Sequence, residues 1–112
     1  MKTLFEKIID RELPADIVFE NKKIIAIKDK FPKAAVHLLI IPKKPIPSLQ
    51  EMERDDYPLL GECVDVAKQL AKEFDLVSGG YRFLVNNGVN AGQTIFHLHF
   101  HLLGGHVLGA MG

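Results

Sequence analysis

The stretch HLHFHLLGG, residues 97–105, sets three of the chain's five histidines on alternate positions. Side chains alternate across a β-strand, so His97, His99 and His101 would share one face there. Phe96, Leu98, Phe100 and Leu102 would take the opposite, core-facing side. Three readings fit such a row. The first is a solvated polar face, although Thr, Lys, Glu and Ser are the usual occupants of such faces. The second is metal binding, since His-x-His on a strand can ligate zinc. The outer two Cα atoms would stand about 13 Å apart on a regular strand, so two of the row plus His37 make the better ligand set. The third is nucleophilic catalysis at phosphorus. Neutral imidazole is a good nucleophile near pH 7, and the phosphorus–nitrogen bond that it forms hydrolyses readily. The central histidine would attack while its neighbours donate hydrogen bonds or protons.

Attack at phosphorus also needs donors for the phosphate oxygens, and NAGQT, residues 90–94, lies just upstream. Gly92 lets the backbone approach closely, and Gln93 and Thr94 offer side-chain donors. Alone, such a loop is an ordinary turn; beside the histidine row it reads as a phosphate cradle. His37, within AAVHLLII, fits a hydrogen-bonded core histidine or a member of the site. Asp29, within KDKFP, fits a turn.

These residues need elements to position them. TLFEKII reads as a short helix, with Thr3 and Glu6 at capping-box spacing and Leu4, Phe5, Ile8 and Ile9 as its apolar stripe; Pro14 ends the segment. DIVFE and IIAIK read as strands joined by the turn NKK, and VHLLIIP as a buried strand ended by KKPIPS. YPLLGECVDVAKQLAKEF is the one long helix, with Asp55, Asp56 and Pro58 at its start. Cys63 falls on its apolar stripe with Leu59, Leu60, Ala67, Leu70 and Phe74, and reads as core packing. YRFLVN and IFHLHFHLL are the last two strands. The order predicts an α+β fold with about five strands in a mostly antiparallel sheet, one short N-terminal helix and one long one.

The 112 residues suit a single domain, 1–112, and fourteen basic residues balance fourteen acidic ones. No net field favours nucleic acid or an anionic membrane. One cysteine excludes an internal disulfide framework, and no apolar run has the length of a membrane span. With charges interrupting MKTLFEKIIDREL, no signal peptide is expected and the expected location is cytoplasmic.

HLHFHLL matches the His-φ-His-φ-His-φ-φ signature (φ apolar) of the histidine triad superfamily of nucleotide hydrolases and transferases. With GQT before it and GG after it, the chain resembles the Hint branch, the purine nucleoside phosphoramidases. LFEKII, ELPADIVFE, HLLIIPKK and GYRFLVNNG extend the resemblance over nearly the whole length.

The resemblance implies a hydrolase that cleaves adenylyl or guanylyl phosphoramidates through a nucleotidyl-histidine, without cofactor or metal. His99 would be the nucleophile, His97 and His37 would orient it, and His101 would contact the phosphate and assist the leaving group. Thr94 would lie near the scissile bond, and Asn86, Gln93 and the backbone at Gly92 would complete the phosphate site. Asp29 would accept from the ribose hydroxyls, a task that suits a carboxylate. Phe5, Ile8, Ile27 and Leu39 would line the base pocket, with Lys28 beside it. The likeness also implies a homodimer with one continuous ten-stranded sheet, and a purine nucleotide rather than a nucleic acid or membrane as partner. Its alternatives are a dinucleoside polyphosphate hydrolase and a nucleotide-binding interaction module. The chain departs from the branch at Lys28 and Lys30, at Pro45 where many relatives have histidine, and in a tail without tryptophan.

Overall fold

The computed structural model describes residues 1–111. Helix α1 (Leu4–Ile9) comes first, followed by strands β1 (Ile17–Glu20), β2 (Ile24–Lys28) and β3 (Val36–Pro42). Helix α2 (Tyr57–Glu73) then leads to β4 (Tyr81–Leu84) and β5 (Phe100–Gly104). The sheet is antiparallel throughout, in the order β1-β2-β3-β5-β4, so β1 and β4 form its edges. This α+β arrangement agrees with the sequence expectation in element types, order and number.

The two faces of the sheet have different covers. On one, Ile24, Ala26, Leu38, Ile40, Phe100 and Leu102 pack with Cys63, Val66, Ala67, Leu70 and Ala71 in the main core. Cys63 is fully buried, as its stripe predicts, and burial pushes its thiol up to about 12. On the other face, Phe5 and Ile8 of α1 pack with Ile25, Ile27, Leu39 and Ile41. Six residues make a helix too short to stand alone. The Thr3 hydroxyl accepts from Glu6 N at 3.2 Å and the Glu6 carboxylate from Thr3 N at 3.0 Å, completing the capping box. So short a cover leaves part of this face open.

Register decides what lies on the open part. Ile27, Leu39, His101 and Leu84 form one row across β2, β3, β5 and β4. In the next row, His37 and Arg82 flank Leu103, while Asp29 N donates to the His37 carbonyl at 2.9 Å. Period-two alternation puts all of these side chains on the α1 side of the sheet.

Three local expectations change. IFHLHFHLL is not all strand: residues 95–99 lie outside the ladder and β5 starts at Phe100. Leu98 N donates to Ile46 O at 2.7 Å and the His97 ring bonds to Pro42 O, pinning this segment to the end of β3 and the chain just after it. Alternation therefore fails, with His97 and Leu98 both buried and Phe96 47% exposed. YRFLVN likewise pairs only through Leu84. Leu4 leaves the apolar stripe of α1 and is exposed at a cleft instead.

Candidate active site

A cleft of about 990 Å³ opens between α1, the end of β2 and the loop before β5. That is a volume typical of small-molecule sites. Of the sequence-predicted residues, Phe5, Ile8, Ile27, Lys28, Asp29, Leu39, Asn86, Gly92, Thr94, His99 and His101 line it. His37, His97 and Gln93 do not. His37 instead lines an adjoining cleft of about 530 Å³ that shares Asp29, Phe31, Asn86, Gly92 and His101 with the first. Gly92 ends a 3₁₀ turn (Val89–Ala91) at φ 92°, a backbone region that favours glycine.

Gln93 corrects the expectation of a phosphate donor. It is buried, and its Oε1 accepts from Gly88 N at 2.8 Å. Its Nε2 donates to Pro47 O at 2.9 Å and Ile95 O at 3.1 Å. Both polar atoms are used in holding the loop, so Gln93 shapes the cradle without facing it.

The hydrogen bonds assign a tautomer to each histidine of the cluster. The backbone N–H of Lys33 donates to His37 Nδ1 at 3.0 Å, so the neutral ring carries its proton on Nε2. That N–H donates to His101 Nδ1 at 2.9 Å, with Asp29 Oδ2 a further 3.4 Å neighbour. His101 consequently carries its own proton on Nε2. His99 Nδ1 donates to the His97 carbonyl at 2.7 Å, which leaves Nε2 with a free lone pair. His97 Nε2 donates to Pro42 O at 2.7 Å, and its buried Nδ1 has no partner among the described residues. His97 thus orients His99 through its main chain rather than its ring, a contact that residue spacing could not reveal.

Burial is the leading influence on these rings. Desolvation lowers the pKa of His99, against a smaller opposing effect of its hydrogen bond to His97 O. It brings His101 down to about 4, helped by the neighbouring His99 and His37. His37 is also lowered by burial; the Asp29 charge opposes this and the Lys33 charge adds to it. All three are neutral near pH 7. Phe5 sets its ring edge-on to His99 at a centroid distance of 4.8 Å, so α1 supplies part of that desolvation. Asp29, His37 and His101 also bring one ligand atom each within 4.8 Å of one another, a donor set of the kind that zinc takes.

The model of the family described as "Scavenger mRNA decapping enzyme C-term binding" matches residues 2–110. A HIT-like protein of Chlamydia muridarum is 51% identical over 99% of this chain and 87% of its own length. The chain belongs to the histidine triad superfamily. The purine nucleoside phosphoramidase of Escherichia coli K12 is 39% identical over 98% of this chain and 92% of its own, which assigns the Hint-like branch. A HIT family hydrolase from Legionella pneumophila Philadelphia 1 superposes with a TM-score of 0.94, at 44% identity and 96% coverage of both chains. These likenesses class the chain with the HIT family hydrolases. In this histidine triad protein the cleft also takes in Asp16 and Phe31, which the sequence reading did not single out. A polar or exposed residue beside a turn carries no pattern of its own, so only the folded arrangement reveals them.

Proposed function

We propose that this HIT hydrolase cleaves purine nucleoside 5′-phosphoramidates through a nucleotidyl-His99 intermediate. The observation that carries the reading is the orientation of His99. Its Nδ1–H is held by a backbone carbonyl and its free Nε2 belongs to a ring lining the cleft. The apolar walls Phe5, Ile8, Ile27 and Leu39 would take the base, with Lys28 at the rim. Asp29 would take the ribose hydroxyls, and Asn86, Thr94 and the backbone at Gly92 the phosphate. His37 and His97 position the reacting rings, and no metal or cofactor enters the scheme.

As the phosphoramidate anion binds, the His37 Nε2–H turns to Asp29 Oδ2, 3.4 Å away, and the freed His101 Nδ1 takes up a solvent proton, so that its Nε2 proton can be given up. The His99 Nε2 lone pair forms a bond to phosphorus as the phosphorus–amine bond breaks, and the departing nitrogen takes the His101 proton. Water then attacks phosphorus, gives a proton to His101, and the bond to His99 breaks to release the nucleoside monophosphate. Each imidazole ends as it began once His101 gives up that proton.

The test is mass spectrometry of acid-quenched protein mixed with substrate. One nucleotidyl group on His99 is expected, absent in His99→Ala, while His101→Ala slows both steps by about 10²–10⁴-fold without removing the adduct. An adduct on His97 or His101 in the intact protein would overturn the assignment. Adenosine 5′-phosphoramidate turned over faster than diadenosine polyphosphates separates this reading from its alternative. The active form is a homodimer joined through β4 and α2.

A further inference from the structure

The second cleft shares His101 with the first but is not lined by His99, and its ionisable rim is one-sided. Lys33, Arg82 and His106 contribute to it, and Asp29 is its one carboxylate. Asp29 is already engaged, through Phe31 N at 2.8 Å and the His37 ring at 3.4 Å. Lys33 and Arg82 make no ion pair among the described residues. Register holds Arg82 in the same cross-strand row as His37, so its guanidinium rises from the floor of the sheet rather than from a loose loop.

Displacement at phosphorus runs in line, with nucleophile and leaving group on opposite sides. His99 lines the first cleft alone, whereas His101 lines both. An attack from His99 therefore drives the leaving group past His101 into the second cleft. We propose that this cleft selects leaving amines that carry an anionic oxygen group of their own, a carboxylate or a phosphate, recognised by Arg82 and Lys33. The inference rests on the reading of His99 as nucleophile. Arg82 supplies a planar fork that matches either anion, and Lys33 a mobile point charge at the mouth.

The experiment compares four matched substrates, the adenosine 5′-phosphoramidates of β-alanine, O-phosphoethanolamine, β-alaninamide and ethylenediamine. The two anionic compounds should exceed the neutral amide in kcat/KM by about two- to fivefold and the cationic amine by a wider margin, since a half-exposed ion pair contributes on that scale. The first two arms distinguish a carboxylate from a phosphate as the preferred anion. Arg82→Gln should bring the anionic-to-neutral ratio toward one, and exposed Lys33→Gln should do so in part, which covers the case of an Arg82 variant that fails to fold. Equal rates for all four, or faster turnover of the cationic amine, would overturn the inference while leaving the phosphoramidase reading intact. If even unsubstituted adenosine phosphoramidate is not cleaved, the functional reading fails. Calorimetric affinities of the same four compounds then decide the cleft's charge preference, and equal affinities would overturn it.

Discussion

Asp29 works on two sides at once. Its Oδ1 accepts from Phe31 N and closes the turn, while Oδ2 lies 3.4 Å from His37 Nε2 and the whole side chain borders both clefts. Asp29→Asn keeps an oxygen for the turn but loses the charge that ribose hydroxyls would meet. Hydrogen bonds to a charged acceptor contribute about 1.5–3 kcal/mol, so nucleoside monophosphate affinity should fall about tenfold or more. The ribose gains no charge between ground and transition state, so the contact should act on both alike. The single-turnover rate at saturation should then change much less than the affinity, as calorimetry and rapid quench can measure. An intact affinity with a slowed chemical step would instead make Asp29 a partner of His37 alone. His97 and Gln93 mark a different kind of residue. Each spends its side-chain hydrogen bonds on the backbone, so each acts by holding a loop against the site.

At the level of elements, the glycine pair that follows the histidine row has a structural task. A Cβ on Gly104 would meet Leu76 Cδ2 at 3.0 Å, and one on Gly105 would meet the Ala35 Cβ at 2.9 Å. Gly105 also sits at φ 96°, where an L side chain is strained. Gly105→Ala should therefore cost about 1–3 kcal/mol, read as a lowered urea midpoint with an unchanged slope. No loss of stability would show that the Ala35 turn yields freely. The pair was legible in the sequence as a family mark, but its packing was not, because Ala35 is seventy positions away. The same contrast runs through the elements. Strands β2 and β3 and helix α2 follow long apolar patterns, so burial and local preference agree and the sequence reading holds closely. Residues 95–99 break alternation because bonds to Pro42 and Ile46, made across the fold, override the strand pattern. The row His97, His99 and His101 could be picked out from spacing, whereas His37 came only with the family resemblance. The tautomers of all four were not legible there, since those depend on the carbonyls of Pro42 and His97 and the amide of Lys33.

At the scale of the whole molecule, β4 is an edge of the sheet, and Tyr81 on it remains exposed, as do Val77 shortly before it and Val64 on α2. Such an edge invites pairing with another chain. Sedimentation at micromolar concentration should give twice the chain mass, and a monomer would contradict the proposed dimer. Stability against pH tests the buried histidines together. His37, His99 and His101 all titrate below the ordinary imidazole value in the folded protein, His101 at about 4, while the unfolded chain takes up these protons near pH 6.5. Between those values the unfolded state binds more protons, so stability rises with pH through the window and is lost as pH falls through it. Glu6, Glu20 and Asp56 are held below their ordinary values, so the stability they contribute is lost lower, from about pH 4.5 downward. The decline between pH 6.5 and about 4.5 therefore belongs to the imidazoles. Urea midpoints should fall across that interval in the wild type, and His101→Asn should flatten the fall by removing the most displaced of the three. An unchanged slope in the variant would mean that water reaches His101 freely, and that burial does not keep this ring neutral.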